Sequence, residues 1–371
     1  MCGIYQDESE DNNSNQAIGS RCLASQLGYL MIGIAGPRLK QHEREWLAHP
    51  AVAGVILFQR NFESVNQLQS LCADIHSIRQ PRLLIGVDHE GGRVQRFTRE
   101  FTRLPPIAAL GELYAKDTRE GLVTAEQLGW LAATELLSCA IDLSFAPVLD
   151  IDYGHNQVIS HRAFAASGYE VSELALAFHQ GMQRAGMAAV AKHFPGHGYV
   201  SVDTHLGVAE DSRSYLSIEQ QDMQPFVALV NAGVSAIMPA HVIYSDCDAE
   251  PAGFSHFWLQ RVLRERLGFE GAIISDDLGM QAAVAKGSLI ERVALALEAG
   301  CDLVLVCNDL TEIPKLLDQA SDKAQDPLSQ LRLIRLHGRK GVGRFDKLKL
   351  NSDWQAAQHS LQSMQTKLAS F

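Results

Sequence analysis

Short apolar runs recur along the chain at Tyr29 to Ala35, Val52 to Phe58, Leu83 to Val87, Ile141 to Val148, Ala188 to Ala191, Ser235 to Pro239, Gly271 to Ile274 and Asp302 to Val306. Each is short and almost continuously apolar, the pattern of a strand buried on both faces. Between them lie stretches whose apolar residues fall three and four apart, such as Gly121 to Ser138, Glu170 to Ala185, Ile218 to Ala232, His256 to Leu267 and Leu289 to Ala299. That spacing gives a helix one buried stripe. Alternating strands and helices imply parallel strands, and eight strands with polar motifs after several of them fit a closed barrel better than an open doubly wound sheet. The expected fold class is therefore α/β: a single TIM-like (β/α)8 barrel over residues 27–335, with Leu328 to Leu336 as a closing helix. A C-terminal helical appendage over 336–371 contains Trp354 to Leu368. No fixed-period repeat and no Pro-rich or Gly/Ser-rich linker divides the chain, so one domain is expected.

Composition narrows the function. With 371 residues, 46% of them hydrophobic and 20% charged, the chain can build a large core. The formal charge of -11 and the lack of a Lys/Arg run argue against nucleic-acid or anionic-membrane partners, which need a concentrated basic patch. Seven scattered cysteines (2, 22, 72, 139, 247, 301 and 307) without a Cys-x-x-Cys pair suit reduced thiols and a cytoplasmic protein. Residues 1–26 are acidic and Asn/Ser-rich, without the features of a secretory signal, and read as a disordered tail. No window approaches the roughly 18 apolar residues of a membrane span.

The chemistry is concentrated where strands are expected to end. After the Ala188 to Ala191 run come Lys192-His193-Phe194-Pro195-Gly196-His197-Gly198 and then Asp203-Thr204-His205, with Pro195, Gly196 and Gly198 preventing regular continuation. The third strand leads into Asp88-His89-Glu90-Gly91-Gly92-Arg93-Val94-Gln95-Arg96, the fourth into Asp150-Ile151-Asp152 and then His161-Arg162, the sixth into His241, and the seventh into Ser275-Asp276-Asp277-Leu278. In barrel enzymes the carboxyl ends of strands build the site. Asp276, emerging from an apolar strand, is the candidate nucleophile. Asp277 reads as a cap for the following helix, Asp150 and Asp152 as loop-orienting acids, and Arg213 and Glu219 as solvated surface charges. His197 and His241 could serve packing or chemistry. Gly91-Gly92 lacks the Gly-x-Gly-x-x-Gly pattern of dinucleotide binding.

These motifs, together with Phe145-Ala146-Pro147-Val148-Leu149-Asp150 and Met238-Pro239-Ala240-His241, resemble the bacterial β-N-acetylhexosaminidases of glycoside hydrolase family 3 in their compact single-domain form. The resemblance runs from about Leu30 to about Cys307. It implies that Asp276 forms a covalent glycosyl-enzyme and that His205, paired with Asp203, is the acid/base. An imidazole can give and take a proton near neutrality, and an i, i+2 pair can touch in an extended loop. The resemblance further implies that Asp88, Arg96, Arg162, Lys192 and His193 bind the N-acetylglucosamine ring. It makes the chain a retaining exo-β-N-acetylglucosaminidase acting on N-acetylglucosaminyl-1,6-anhydro-N-acetylmuramic acid muropeptides in peptidoglycan recycling. The glycan is the expected partner, without metal or organic cofactor, and a monomer is expected. The chain departs from the family pattern at His89, where glutamine is usual, and at Ser160-His161-Arg162-Ala163-Phe164, in place of Gly-x-Arg-Ser-Phe. Ala272 is smaller than usual, and the tail to about Gln26 is extra.

Three rival functions deserve tests. A metal-dependent barrel hydrolase would use His193, His197, His205 and Asp203 as ligands, although their spacing does not make a His-x-x-x-His helix pair because Pro195 and Gly196 interrupt it. A sugar-binding protein could have kept the pocket and lost catalysis. A phosphorylase would transfer the sugar to phosphate, since a histidine does not repel the incoming anion as a carboxylate would.

Overall fold

The computed structural model describes residues 26–201, 209–320, 326–339 and 343–369. Eight parallel strands close into a barrel: β1 Leu30–Gly33, β2 Val52–Leu57, β3 Leu84–Val87, β4 Leu143–Ser144, β5 Ala188–Phe194, β6 Ala236–Pro239, β7 Ala272–Asp277 and β8 Leu303–Val306. Each strand pairs with its neighbours in sequence, and β8 closes on β1 through Leu30 opposite Val304 and Ile32 opposite Val306. The expected tail falls in residues outside those described, apart from Gln26.

The continuously apolar strands follow from this closure. Successive side chains alternate between the barrel interior and the helical shell. Met31, Leu84, Leu143, Val190, Met238, Ile274 and Leu305 fill the interior. Ile32, Val55, Ile85, Ala191, Ile237, Ile273 and Val304 pack outward beneath the helices. Leu27, Leu333 and Leu336 join the interior cluster. Gln330, on helix Pro327–Ile334, holds Leu27 by accepting from its N–H at 3.0 Å and donating to its carbonyl at 2.7 Å.

The differences from the sequence reading are informative. The Ile141 to Val148 run gives regular strand only at Leu143–Ser144, because Pro147 has no N–H for the ladder and Val148 makes one isolated bridge to Lys192. Strands β5 and β7 run past their apolar cores into the polar motifs. The Ile218 to Ala232 stretch splits into helices Tyr215–Gln220 and Gln224–Asn231. In Phe257–Arg266 the turns are wide, as where the Leu267 N–H reaches back five residues to the Val262 carbonyl. The appended helix Ser352–Ala369 packs on Thr118–Ser138, and the Trp354 indole donates to Glu135 Oε1 at 2.9 Å.

Helices Thr118–Ser138 and Gly168–Ala185 approach until their backbones touch, which needs glycine at the crossing. A Cβ at Gly181 would stand 1.9 Å from the Glu126 carbonyl oxygen, and one at Gly129 would stand 2.1 Å from that of Phe178. Gly181→Ala is therefore expected to lower stability by about 1–3 kcal/mol by overpacking in urea unfolding. Gly36→Ala, where an added Cβ meets nothing within 4 Å, is the neutral control. Equal stability of the two variants would contradict the crossing geometry.

Candidate active site

The alternation that fills the barrel also builds the site. On β3 the inward series runs Leu84, Gly86 and then Asp88; on β5 it runs Ala188, Val190 and then Lys192; on β7 it runs Ala272, Ile274 and then Asp276. Three polar side chains thus form the next rung above the apolar interior, at the carboxyl end of the barrel. They line a cleft of about 530 Å³ with Glu90, Arg93, Arg96, Arg162, His193, His197, Ser201 and Met280. A regular strand would turn His193 away from Lys192. A register shift against β6, with Lys192 opposite Met238 and Phe194 opposite Pro239, lets both residues face the cleft.

A chain of charges crosses this cleft. Lys192 Nζ lies 2.7 Å from Glu90 Oε1 and 3.1 Å from Asp88 Oδ1. Arg96 donates to Asp88 Oδ2 at 2.8 Å, and Arg162 grips both oxygens of Glu90 at 2.8 Å each. Burial alone would raise both carboxyls. Lys192 and Arg96 outweigh it and hold Asp88 far below the ordinary carboxylate range. Arg162 and Lys192 hold Glu90 at about 2. Paired glycines make the turn that returns Arg96 to Asp88: Gly91 and Gly92 take φ of 118° and 56° between His89–Gly91 and Val94–Gln95, where other residues are strained.

The second unit is centred on Asp150, which the sequence suggested as an orienting acid. Its Oδ2 lies 2.6 Å from His193 Nδ1, and its Oδ1 accepts the His197 N–H at 2.7 Å and the His193 N–H at 3.3 Å. This holds one edge of the His193 ring while the residue lines the cleft. Burial raises the Asp150 carboxyl, but His193 and these bonds bring it to about 2. Asp276 accepts the Asp277 N–H on Oδ1 at 2.7 Å. Burial opposes its charge, yet His193, His241, that N–H and Lys192 keep it below the ordinary value and ionised.

Six of the sequence-named site residues, Asp88, Arg96, Arg162, Lys192, His193 and Asp276, therefore meet in one cleft, and Asp203 and His205 lie outside the described residues. Glu90 was not singled out, although its place two residues after Asp88 on the same turn was a signal. His197 lines the cleft, and burial lowers its imidazole to about 4. His241 stacks on Phe254 with ring centroids 5.5 Å apart and places Nε2 3.2 Å from the Asp277 carbonyl. Asp277 is not a helix cap: its Oδ1 accepts from Gly279 N–H at 2.9 Å and Cys307 N–H at 3.1 Å, tying β7 to the end of β8. Asp152 likewise shapes a turn, accepting the Gly154 N–H at 2.8 Å. Arg213 is no solvated charge: its partly buried guanidinium pairs with the buried carboxylates of Asp211 and Asp222. At Ser160 the backbone enters the left-handed region, with φ of 41°, a conformation glycine takes without strain. His89 is buried beside Phe97 and Phe101, and burial lowers its imidazole to about 3.

The depressed carboxyls predict acid sensitivity. Asp150 falls from 3.8 to about 2 and Glu90 from 4.5 to about 2, so each contributes on the order of 2–3.5 kcal/mol that is fully present above the unfolded values. That stability is lost as pH falls from about 5 toward 2. Urea unfolding across this range should show a shallower loss for Asp150→Asn than for the wild type. Parallel curves would contradict the assignment.

Residues 23–334 match the glycosyl hydrolase family 3 N-terminal domain. A protein of Hydrogenovibrio crunogenus named β-hexosaminidase is 53% identical over 333 residues, covering 90% of this chain and 93% of its own. One of Thioalkalivibrio sulfidiphilus with the same name is 50% identical over 331 residues, covering 89% and 94%. Among solved structures, native NagZ from Neisseria gonorrhoeae superposes with a TM-score of 0.86 at 42% identity, covering 92% of this chain and 98% of that one. That NagZ has also been solved with N-trifluoroacetyl-D-glucosamine and with a zinc ion. With a carboxylate-rich cleft at the mouth of its barrel and relatives alike along nearly their whole length, the chain belongs to glycosyl hydrolase family 3 and is a glycoside hydrolase of the NagZ-type β-N-acetylhexosaminidase group.

Proposed function

We propose that the enzyme is a retaining exo-β-N-acetylglucosaminidase that removes terminal N-acetylglucosamine from 1,6-anhydro-N-acetylmuramic acid muropeptides during cytoplasmic peptidoglycan recycling. The observation that carries this reading is the placement of the Asp276 carboxyl on the same rung as Asp88 and Lys192, in one cleft at the carboxyl end of the barrel. A carboxylate flanked by two cations is suited to hold sugar hydroxyls, and Asp88 lies between Arg96 and Lys192. Arg162 and His193 complete the sugar pocket. The complex of the gonorrhoeal relative with N-trifluoroacetyl-D-glucosamine supports an amino-sugar ligand.

In this reading an Asp276 oxygen attacks the anomeric carbon as the glycosidic C–O bond breaks. The imidazolium of His205, held by Asp203, gives its proton to the leaving oxygen. The same imidazole then takes a proton from water, whose oxygen displaces Asp276 and restores the carboxylate. Two displacements at one carbon retain the β-configuration, the logic of the usual paired carboxylates with a histidine in place of one.

Release of 4-nitrophenol from its β-N-acetylglucosaminide, measured with a chelator present and without added phosphate, is the first test. Wild-type enzyme should release it, with the β-anomer as the initial product, and Asp276→Ala should lose about a thousandfold or more. Loss of wild-type release with chelator would favour the metal-dependent reading, phosphate dependence the phosphorylase, and binding without turnover the inactive sugar-binding protein. His205→Ala should lose about a hundredfold or more in kcat/KM with poor leaving groups and far less with good ones. Equal loss on both would contradict its role as acid.

A further inference from the structure

In the hairpin that follows β3, Asp88 and Glu90 both reach Lys192, while His89 between them turns the other way to pack beside Phe97 and Phe101. This is the alternation of an extended chain. Gln95 ties the second arm of the hairpin to the next loop, accepting the Leu104 N–H at 2.9 Å and donating to the Thr102 carbonyl at 2.8 Å. Held in this way, Glu90 stands where two separate elements converge. Arg162 comes from the turn Ser160–Arg162 and Lys192 from β5, and both meet the same oxygen, Glu90 Oε1, at 2.8 Å and 2.7 Å.

This carboxylate decides which donors of the two cations stay open. Arg162 spends Nε and NH2 on it in a bidentate pair, which leaves the NH1 side of the guanidinium, donating to the Val158 carbonyl at 3.3 Å. An ammonium has three N–H donors. Among the described residues, Glu90 takes one from Lys192 at 2.7 Å and Asp88 another at 3.1 Å, so the third is left for a sugar oxygen. The two carboxylates differ in access: the Asp88 side chain is 18% exposed and that of Glu90 only 2%. Asp88 can therefore meet a hydroxyl, whereas the oxygens of Glu90 are taken up by cations.

We propose that Glu90 is a positioning residue for sugar binding: it fixes Arg162 and Lys192 so that selected donors face the hydroxyls, and its charge keeps the pair from acting as an anion site. It works through these cations rather than by touching the sugar. Without that negative charge, a guanidinium and an ammonium would stand together in a buried cleft, an arrangement suited to a tetrahedral oxyanion. The proposal rests on the reading of Arg162 and Lys192 as sugar ligands.

The test measures kcat and KM on 4-nitrophenyl β-N-acetylglucosaminide, N-acetylglucosamine affinity by calorimetry, and inhibition by inorganic sulfate at constant ionic strength. Wild type, Glu90→Gln, Glu90→Asp and Lys192→Ala are compared, with thermal melting of each. Glu90→Gln is expected to raise KM and weaken N-acetylglucosamine binding about twentyfold while kcat falls less than about fivefold, and sulfate should inhibit it at least about tenfold more strongly than wild type. Glu90→Asp keeps the charge but is one methylene too short to hold both cations. It should weaken sugar binding about fivefold without the gain in sulfate inhibition, and it carries the test if Glu90→Gln does not fold. Wild-type sugar affinity in the Glu90 variants, a kcat loss larger than the rise in KM, or unaltered sulfate inhibition of Glu90→Gln, while Lys192→Ala binds the sugar weakly, would overturn the role of Glu90. Wild-type sugar affinity in Lys192→Ala would instead overturn the sugar pocket, and this role with it.

Discussion

The cleft depends on the buried ammonium of Lys192. Its side chain is 4% exposed and lies between the carboxylates of Asp88 and Glu90. A buried charge is tolerable when paired and hydrogen-bonded, and removal of one partner leaves the others uncompensated. The group is a chain of three cations and two anions, Arg96, Asp88, Lys192, Glu90 and Arg162, so one positive charge is left over. Asp276 completes that balance, with Lys192 among the groups that keep it ionised. The groups that would hold a sugar therefore also stabilise the charge of the proposed nucleophile, which makes the site one electrostatic unit.

The barrel makes this unit possible. In strands that are apolar inside and out, the polar residues at the ends mark the register, since a slip of one residue would turn Asp88, Lys192 or Asp276 into the helical shell. The polar rung stands on Leu84, Val190 and Ile274, which lie in the packed interior. Around it, a buried carboxylate repeatedly fixes a loop. Asp150 binds the backbone of His193 and His197, Asp277 joins β7 to β8, and Asp211 and Asp222 share Arg213.

Much of this was legible in the sequence because buried parallel strands leave a strong mark. All eight apolar runs became the eight barrel strands, and six of the polar residues expected at the site, Asp88, Arg96, Arg162, Lys192, His193 and Asp276, meet in one cleft. Strand ends were less legible, since a polar side chain reads as loop even when it is the last inward rung. Extending the alternation from Ala188 and Val190 to Lys192, and from Ala272 and Ile274 to Asp276, would have placed both on strands. Pairings between distant residues were not legible at all. Nothing in the local pattern around Arg213 reveals that Asp222 pairs with it, and a charge between turn residues normally lies in solvent. Asp277 looked like a cap because the helix after it begins later, at Gln281–Val284, a boundary set by the turn that Asp277 itself makes with Gly279.

The most direct measurement is to trap the intermediate with a 5-fluoro-N-acetylglucosaminyl fluoride and locate the adduct by mass spectrometry of proteolytic peptides. The sugar on Asp276, lost again when the trapped enzyme turns over, is the predicted result. A sugar on any other residue, or product formed by inversion without an adduct, would contradict the central claim.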